Sequence, residues 1–342
     1  MTEGLHLANW TGPLIRAECG KAYRRYVADR TQQYVDWFAA HKPLKDPRHR
    51  YKAKDLASAL PRGWGRLGDQ LPVAERHLHF RSGKSSQVLA LGLLGVAAKR
   101  DPTLQWLFGG LGSVRSPASP VPKLRFEYRL DESVLGEAPR QTSIDALIDD
   151  PDVLVCAEAK WTEEGMGKCS CGRSSAGDDP DDDDSLHEEP TQEPPAKTKA
   201  VDAAATGNCS QHVRDRTPYW DTLANMAMPD RQDGRPCPLS FTYQSVRNVA
   251  AARALAGPDR QAVFVLLYDA ENPYFGGAGR WSGWPAHLEA SIDPVATGVR
   301  FASISWQELA KDMPLDDATV EWAREKHGLD RAGANRSRAS WS

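Results

Sequence analysis

The stretch TSIDALIDDPDVLVCAEAKWTE, residues 142–163, decides the fold. TSIDALI (142–148) alternates in side-chain character, and VLVCAEAKW (153–161) begins as a run of apolar and β-branched residues before turning polar. Both patterns predict β-strands. The residues between the runs, Asp-Asp-Pro-Asp at 149–152, are typical of a tight turn. We therefore predict that the two strands pair as an antiparallel β-hairpin.

Three ionisable side chains of this hairpin point to a chemistry. Residues i and i+2 of a strand share a face about 6.5–7 Å apart, so Glu158 and Lys160 point the same way while Ala159 faces the other side. Antiparallel pairing brings Asp145 alongside them. Two carboxylates offer the oxygen ligands that Mg²⁺ prefers, and a metal with a nearby lysine can promote phosphodiester hydrolysis. Because acid-x-Lys triplets also arise by chance, a surface hairpin with a salt bridge is the alternative.

Elements on either side of the hairpin complete the predicted core. Before it, SSQVLALGLLGVAAK (85–99) predicts a buried helix, because it is apolar nearly all round, and LRFEYRL (124–130) predicts a strand. After it, YQSVRNVAAARALA (243–256) predicts a helix that ends at Gly257-Pro258, and QAVFVLLY (261–268) predicts a buried strand. The order helix, three strands, helix, strand predicts an α/β or α+β layered domain around a mixed sheet.

A helical and basic extension precedes this core. Residues 21–40 place aromatic and apolar side chains near helical spacing, which predicts an amphipathic surface helix. From Lys42 to Arg66 the chain has eight Lys or Arg against two Asp. This excess suits an arm that contacts DNA phosphates, and a solvated basic loop is the alternative.

Charge and composition define the other parts of the chain. The net charge is −3, but residues 178–189 hold eight acids and no Lys or Arg, so the rest sums to +5. The residues around this acidic run are too polar to offset the entropy of ordering, which predicts disorder. The predicted organisation is an N-terminal helical and basic extension (1–80), a first part of the core (81–171), a disordered acidic insertion (172–207), a second part of the core with C-terminal elements (208–325) and a disordered tail (326–342).

The composition also limits the class of protein. With 342 residues, 40% hydrophobic and 26% charged, the chain is typical of a globular protein. Its longest apolar run, residues 88–98, is well short of the roughly 18 residues that a membrane span needs. The first residues have no basic region followed by an apolar one. We expect a cytoplasmic protein without a membrane partner.

The hairpin resembles that of the PD-(D/E)xK nuclease superfamily, both in TSIDALI followed by VLVCAEAKWTE and in the αβββαβ order. SSQVLALGLLG, EAKWTE with a nearby cysteine, and CPLSFTYQSVRN resemble a bacterial group of restriction endonucleases within it, over roughly residues 85–268. The resemblance implies a restriction-endonuclease-like fold. It also implies a Mg²⁺-dependent endonuclease that hydrolyses DNA phosphodiester bonds in restriction or defence.

The same resemblance implies roles for four residues of the hairpin. Asp145 and Glu158 would be metal ligands, and the backbone carbonyl of Ala159 would be a further ligand. Lys160 would be the catalytic lysine.

Two residues outside the hairpin are implied as well. Gln244, in TYQSVRN, would lie on the second core helix near the site. Many members use a glutamate of the first helix as an extra ligand, but this helix has Gln87 and no acid. In place of that glutamate, we predict that Glu127 on the first strand is the extra ligand.

The cysteines allow a second metal site. Cys169, Cys171 and Cys209, with either Cys237 or His212, would supply four ligands for zinc, and four thiolates would suit an iron–sulfur cluster. Free cysteines are the alternative.

The predicted partner is DNA, and a homodimer would let two sites cut both strands. Two functions from other classes stay open. One is a catalytically inactive nucleic-acid-binding protein on a nuclease-like scaffold, and the other is a metal-cluster scaffold without nuclease activity.

Overall fold

The computed structural model describes residues 10–41, 56–57, 59–76, 84–112, 114–137, 141–167, 218–227 and 238–329. In this part of the chain the strands form one five-stranded mixed sheet, in the order β1-β2-β3-β4-β5. The strands are β1 (Lys123–Arg129), β2 (Ser143–Asp149), β3 (Val153–Ala159), β4 (Gln261–Tyr268) and β5 (Val299–Ser305). β1, β2 and β3 pair antiparallel, whereas β3, β4 and β5 pair parallel.

Helices surround the sheet. Two of them, α2 and α6, are the long core helices of the predicted αβββαβ order. The helices of the described residues are α1 (Gly12–His41), α2 (Ser86–Arg100), α3 (Gln105–Phe108), α4 (Glu132–Leu135), α5 (Tyr219–Asn225), α6 (Leu239–Ala256), α7 (Pro273–Gly276), α8 (Trp284–Ser291), α9 (Pro294–Thr297), α10 (Trp306–Asp312) and α11 (Asp317–Trp322), with 3₁₀ turns at Gly65–Gln70, Val73–Glu75 and Gly109–Leu111 and a π-turn at Ala323–His327.

The predicted hairpin is confirmed. β2 and β3 pair antiparallel, with Ala146 opposite Ala157. In the turn, the carboxylate of Asp150 accepts a hydrogen bond from the backbone N–H of Asp152 at 3.1 Å and two more from the loop before β1. Because these bonds satisfy the carboxylate, Asp150 can be buried in the turn.

The sheet separates two apolar cores. The odd-numbered residues of β3, such as Val155, pack into the core that includes α2, and even-numbered ones, such as Cys156, pack into the core that includes α6. Every residue of β3 is therefore buried, which explains its nearly continuous apolar sequence. The predicted mixed sheet and αβββαβ core are confirmed, and this alternation places Glu158 on the α6 side.

The N-terminal helix is fixed to the core by a buried polar network. The hydroxyl of Tyr26 lies 2.8 Å from the Trp161 carbonyl and 2.6 Å from Asp269 Oδ2, and these two acceptors share its one proton. Arg30 pairs with Asp269 at 2.8 Å and with Glu271 at 2.7 Å. Asp269 follows β4 directly, so α1 is held at the end of the sheet where the hairpin acids lie.

The structure differs from the sequence prediction at the C-terminal end. β5 and the helices after β4 were not predicted. Lys326, His327 and Leu329 are buried, although the predicted tail began at residue 326, and the Lys326 ammonium donates to the carbonyl of Ala59 at 2.9 Å. The tail boundary was therefore wrong, because these residues pack against an element far away in sequence. The predicted insertion (172–207) lies outside the described residues.

None of the helices in the described ranges combines the length and the apolarity that a membrane span requires.

We predict that Arg30→Ala lowers the free energy of unfolding by about 3–5 kcal/mol, because it leaves the fully buried Asp269 carboxylate without its cation. Chemical denaturation measures this change. Arg24→Ala is the matched control, since Arg24 is exposed on the same helix and its loss should cost less than about 0.5 kcal/mol. Equal effects of the two substitutions would contradict a role for the network in anchoring α1.

Candidate active site

The hairpin acids lie where the regular alternation of the sheet breaks. Asp145 occupies the register position between Glu127 of β1 and Glu158 of β3. Glu127 has a φ of 46°, in the left-handed region that non-glycine residues rarely adopt. On either side of it, Phe126 belongs to the α2-side core and Tyr128 packs against the α6-side core. Such backbone strain costs about 1–3 kcal/mol and clusters at functional sites.

Lys160 is held by two side chains. Its ammonium lies 2.7 Å from Glu158 Oε1 and donates to Gln244 Oε1 at 2.8 Å. The side chains of Lys160 and Glu158 are only 4% and 2% exposed. The salt bridge of the alternative interpretation is therefore present, but it is buried and does not lie at the surface.

Asn248 fixes the other oxygen of Glu158. Its side-chain amide donates to Glu158 Oε2 at 2.6 Å and to the backbone carbonyl of Gln244 at 2.9 Å. Asn248 is fully buried, and its Oδ1 has no hydrogen-bond partner among the described residues. Both oxygens of the Glu158 carboxylate are thus oriented, one by a cation and one by an amide.

Asp145 points toward the end of β3. Its Oδ2 accepts a hydrogen bond from the Ala159 N–H at 2.7 Å. The N–H and C=O of one residue in an extended strand point to the same side. The Ala159 carbonyl therefore points to the β2 side of the strand, where Asp145 lies.

Glu127 joins the site from β1. Its Oε1 accepts from Gln87 Nε2 at 2.8 Å, and its Oε2 accepts from the Ser143 hydroxyl at 3.1 Å. Gln87 lies on α2, the helix on which the resemblance implied a glutamate. Glu127 and Gln87 are in direct contact, so α2 contacts the acids of the site through the side-chain amide of Gln87.

The electrostatics follow from crowding three carboxylates beside one lysine. Burial and then the charges of Glu158 and Glu127 raise the pKa of Asp145 well above its usual range. Burial raises the pKa of Glu127 to about 7, although the hydrogen bonds that its carboxylate accepts lower the pKa. Burial would also raise the pKa of Glu158, but the Lys160 ammonium outweighs it and the pKa is lowered. Burial lowers the pKa of Lys160, but the charges of the surrounding acids outweigh this effect, so the pKa is raised.

This donor set fits a hard divalent cation. Asp145, Glu158 and the Ala159 carbonyl present oxygen atoms only, which Mg²⁺ prefers over the nitrogen and sulfur donors that suit zinc. A cation would also relieve the repulsion that raises the pKa of Asp145. The described residues contain no group of three or more His, Cys, Asp or Glu arranged to hold a metal. A Mg²⁺ ion here would therefore keep several waters, as it usually does.

The structure brings together Asp145, Glu158, Lys160, Gln244 and Glu127, all of which the sequence singled out. It adds Asn248 and its neighbour Arg247, which sequence reasoning missed. The available signal was helical spacing: Asn248 follows Gln244 by four positions and so shares its face of α6.

The cysteines lie elsewhere in the chain. Cys169, Cys171, Cys209, His212 and Cys237 all fall outside the described residues, so the zinc or iron–sulfur site stays a prediction. The two described cysteines, Cys19 and Cys156, are buried and free.

One comparison with known proteins gives a match. The family model described as "Restriction Endonuclease associating with ARP" (REase-ARP) matches residues 50–325, well over half of the chain. No curated protein and no solved structure matches significantly. The match covers all five strands and both core helices, and it agrees with the resemblance to restriction endonucleases.

We predict that Glu127→Gln stabilises the metal-free protein above neutral pH and leaves it unchanged near pH 4.5. Because the folded state raises the pKa of Glu127 from 4.5 to about 7, its contribution to stability is lost as the pH rises through this window. Glutamine can keep the contact with Gln87 and does not ionise. At pH 8 the gain should approach about 3 kcal/mol by chemical denaturation in EDTA. A difference between variant and wild type that does not change with pH would contradict this assignment.

Proposed function

The chain belongs to the REase-ARP family of restriction endonucleases, and we propose that it is a Mg²⁺-dependent endonuclease that hydrolyses DNA phosphodiester bonds in restriction or defence. The observation that carries the proposal is the buried contact of Lys160 with Glu158 beside the crowded Asp145. A purely structural ion pair does not require a second carboxylate that repels the first at the same point of the sheet.

In this proposal Asp145, Glu158 and the Ala159 carbonyl hold the metal. When bound, Mg²⁺ would lower the pKa of a coordinated water and stabilise negative charge on the phosphate. The hydrogen bonds from Asn248 and from the Ala159 N–H orient the two carboxylates before any ligand arrives. This preorganisation reduces the rearrangement needed for binding.

Lys160 acts as a charged donor in this proposal. Its raised pKa keeps the ammonium protonated at neutral pH, so it orients the attacking water or neutralises charge on the phosphate. The Gln244 side chain gives the ammonium a second partner besides Glu158. Lys160 can therefore turn toward the substrate without losing all of its hydrogen bonds.

Glu127 and the assembly complete the proposal. Glu127 lies at the edge of the site and adds negative charge next to Asp145, as an outer carboxylate. Cleavage of both DNA strands needs two such sites, which a homodimer would supply. A DNA substrate is consistent with a cytoplasmic location.

Cleavage of plasmid and phage DNA tests the function. We predict that wild type cuts with Mg²⁺ and not with EDTA, and that Asp145→Asn and Lys160→Met each reduce the rate at least about 100-fold, because each removes a charge needed in the transition state. Asp149→Asn is the matched control, since Asp149 lies on the same strand but pairs with Arg125 and Arg260. Salt-sensitive DNA binding without cleavage in any divalent metal would favour the inactive-scaffold alternative.

Metal binding can be tested without activity. We predict that Mg²⁺ raises the melting temperature of wild type. At a Mg²⁺ concentration about a hundred times its Kd, the free energy of unfolding should rise by up to about 2.7 kcal/mol. Asp145→Asn should show no such gain, while its metal-free form should be at least as stable as wild type, because the repulsion with Glu158 is relieved. Equal stabilisation of both proteins by Mg²⁺ would rule out Asp145 as a ligand.

A further inference from the structure

Arg247 lies on the face of α6 that contacts the site. Residues three and four apart share a helix face, and Arg247 follows Gln244 by three positions. Gln244 binds Lys160, and the next residue, Asn248, binds Glu158. The Arg247 side chain therefore leaves the helix beside the two residues that hold the acid and the lysine.

The guanidinium of Arg247 contacts an aromatic ring of its own helix. It lies over the ring of Tyr243, 5.3 Å from the centroid. Its Nε is sealed from solvent and has no hydrogen-bond partner in the described ranges. Within these ranges it also forms no ion pair, although the side chain as a whole is partly exposed.

The acids near Arg247 are already committed to other partners. Glu158 uses one oxygen for Lys160 and the other for Asn248. Glu137 accepts from the Tyr219 hydroxyl with one oxygen and from the backbone N–H of Thr142 with the other. Burial opposes the charge on Arg247, yet the nearby Glu158 and the tyrosines raise its pKa, so the cation persists without a direct carboxylate contact.

Arg30, a buried arginine of the same molecule, shows the contrast. Arg30 contacts both Asp269 and Glu271 at less than 3 Å. Buried charges are normally paired in this way, because removing an ion from water is costly. A cation–π contact such as that with Tyr243 offsets only part of this cost. Arg247 has no such carboxylate contact within the described residues, and it lies next to the site.

We propose that Arg247 binds a phosphate of the DNA strand that enters the site. This inference rests on the proposed nuclease function and names a residue that contacts its substrate. A guanidinium presents a planar fork that matches phosphate oxygens, and Arg247 as a residue is partly exposed. The stack of Tyr219 on Tyr243, edge to face at 5.7 Å, supports the ring on which Arg247 rests. The position of the cation is therefore set before DNA binds.

The test is equilibrium binding of a fluorescein-labelled DNA duplex of mixed sequence to the full chain, in EDTA and over a range of salt concentrations. We expect Arg247→Met to weaken binding about 10- to 100-fold, as the loss of a charged hydrogen-bond partner does. The slope of log K against log salt should fall by roughly 1, since one phosphate contact is lost. Arg247→Lys, which keeps the charge but not the fork, should retain the slope and lose part of the affinity.

Two controls separate this role from a structural one. Arg253→Met removes an exposed arginine from the other end of α6 and should leave affinity and slope unchanged. The melting temperature of Arg247→Met should stay equal to that of wild type or rise, because an unpaired cation has been replaced by an apolar side chain of similar length. A structural role would instead lower the melting temperature and leave the salt slope as it was.

The outcomes distinguish the two proposals. If wild type binds and cleaves DNA while Arg247→Met keeps the wild-type affinity and slope, the phosphate contact is refuted and the nuclease function stands. If wild type neither binds nor cleaves DNA, the proposed function fails and this inference fails with it. Weaker binding with a reduced slope, in a protein that melts like wild type, supports the contact.

Discussion

At the end of β3, the buried ammonium of Lys160 lies beside the buried carboxylate of Glu158. Desolvating two charges is compensated only when the remaining hydrogen-bonding groups are also satisfied. Gln244 and Asn248 supply those bonds, both from α6. The central strand and the second core helix are therefore joined by polar contacts at this point, and both also pack into one apolar core.

The adjoining strands concentrate further charge at that point. Asp145 and Glu127 follow in register across β2 and β1, at the position where the sheet departs from regular alternation. The departure lets Glu127 reach Gln87 of α2 while Glu158 faces α6. Both core helices thus contact a single row of acids. A fold that only needed stability would gain nothing from this repulsion, which is why the row favours a cation-binding function.

The sequence predicted the hairpin and its acids because all of this information is local. Strand alternation, a tight turn and an i, i+2 spacing lie within about twenty residues and need no tertiary contact. Gln244 was predicted as a site residue only from the resemblance. Asn248 was not predicted, although its helical spacing from Gln244 could have suggested it. The Arg30–Asp269 pair joins residues 239 positions apart, and β5 has no distinct pattern of its own. Such features depend on which surfaces meet, which spacing along the chain does not encode.

In the proposed site, a divalent cation completes the row of carboxylates. Titration calorimetry with Mg²⁺ near pH 6.5, in two buffers of different ionisation enthalpy, tests it most directly. Because the pKa values of Asp145 and Glu127 are raised, a cation that binds here must displace protons. We predict that Mg²⁺ binding releases protons, so the measured heat depends on the buffer. The absence of binding, or binding with the same heat in both buffers, would contradict the account.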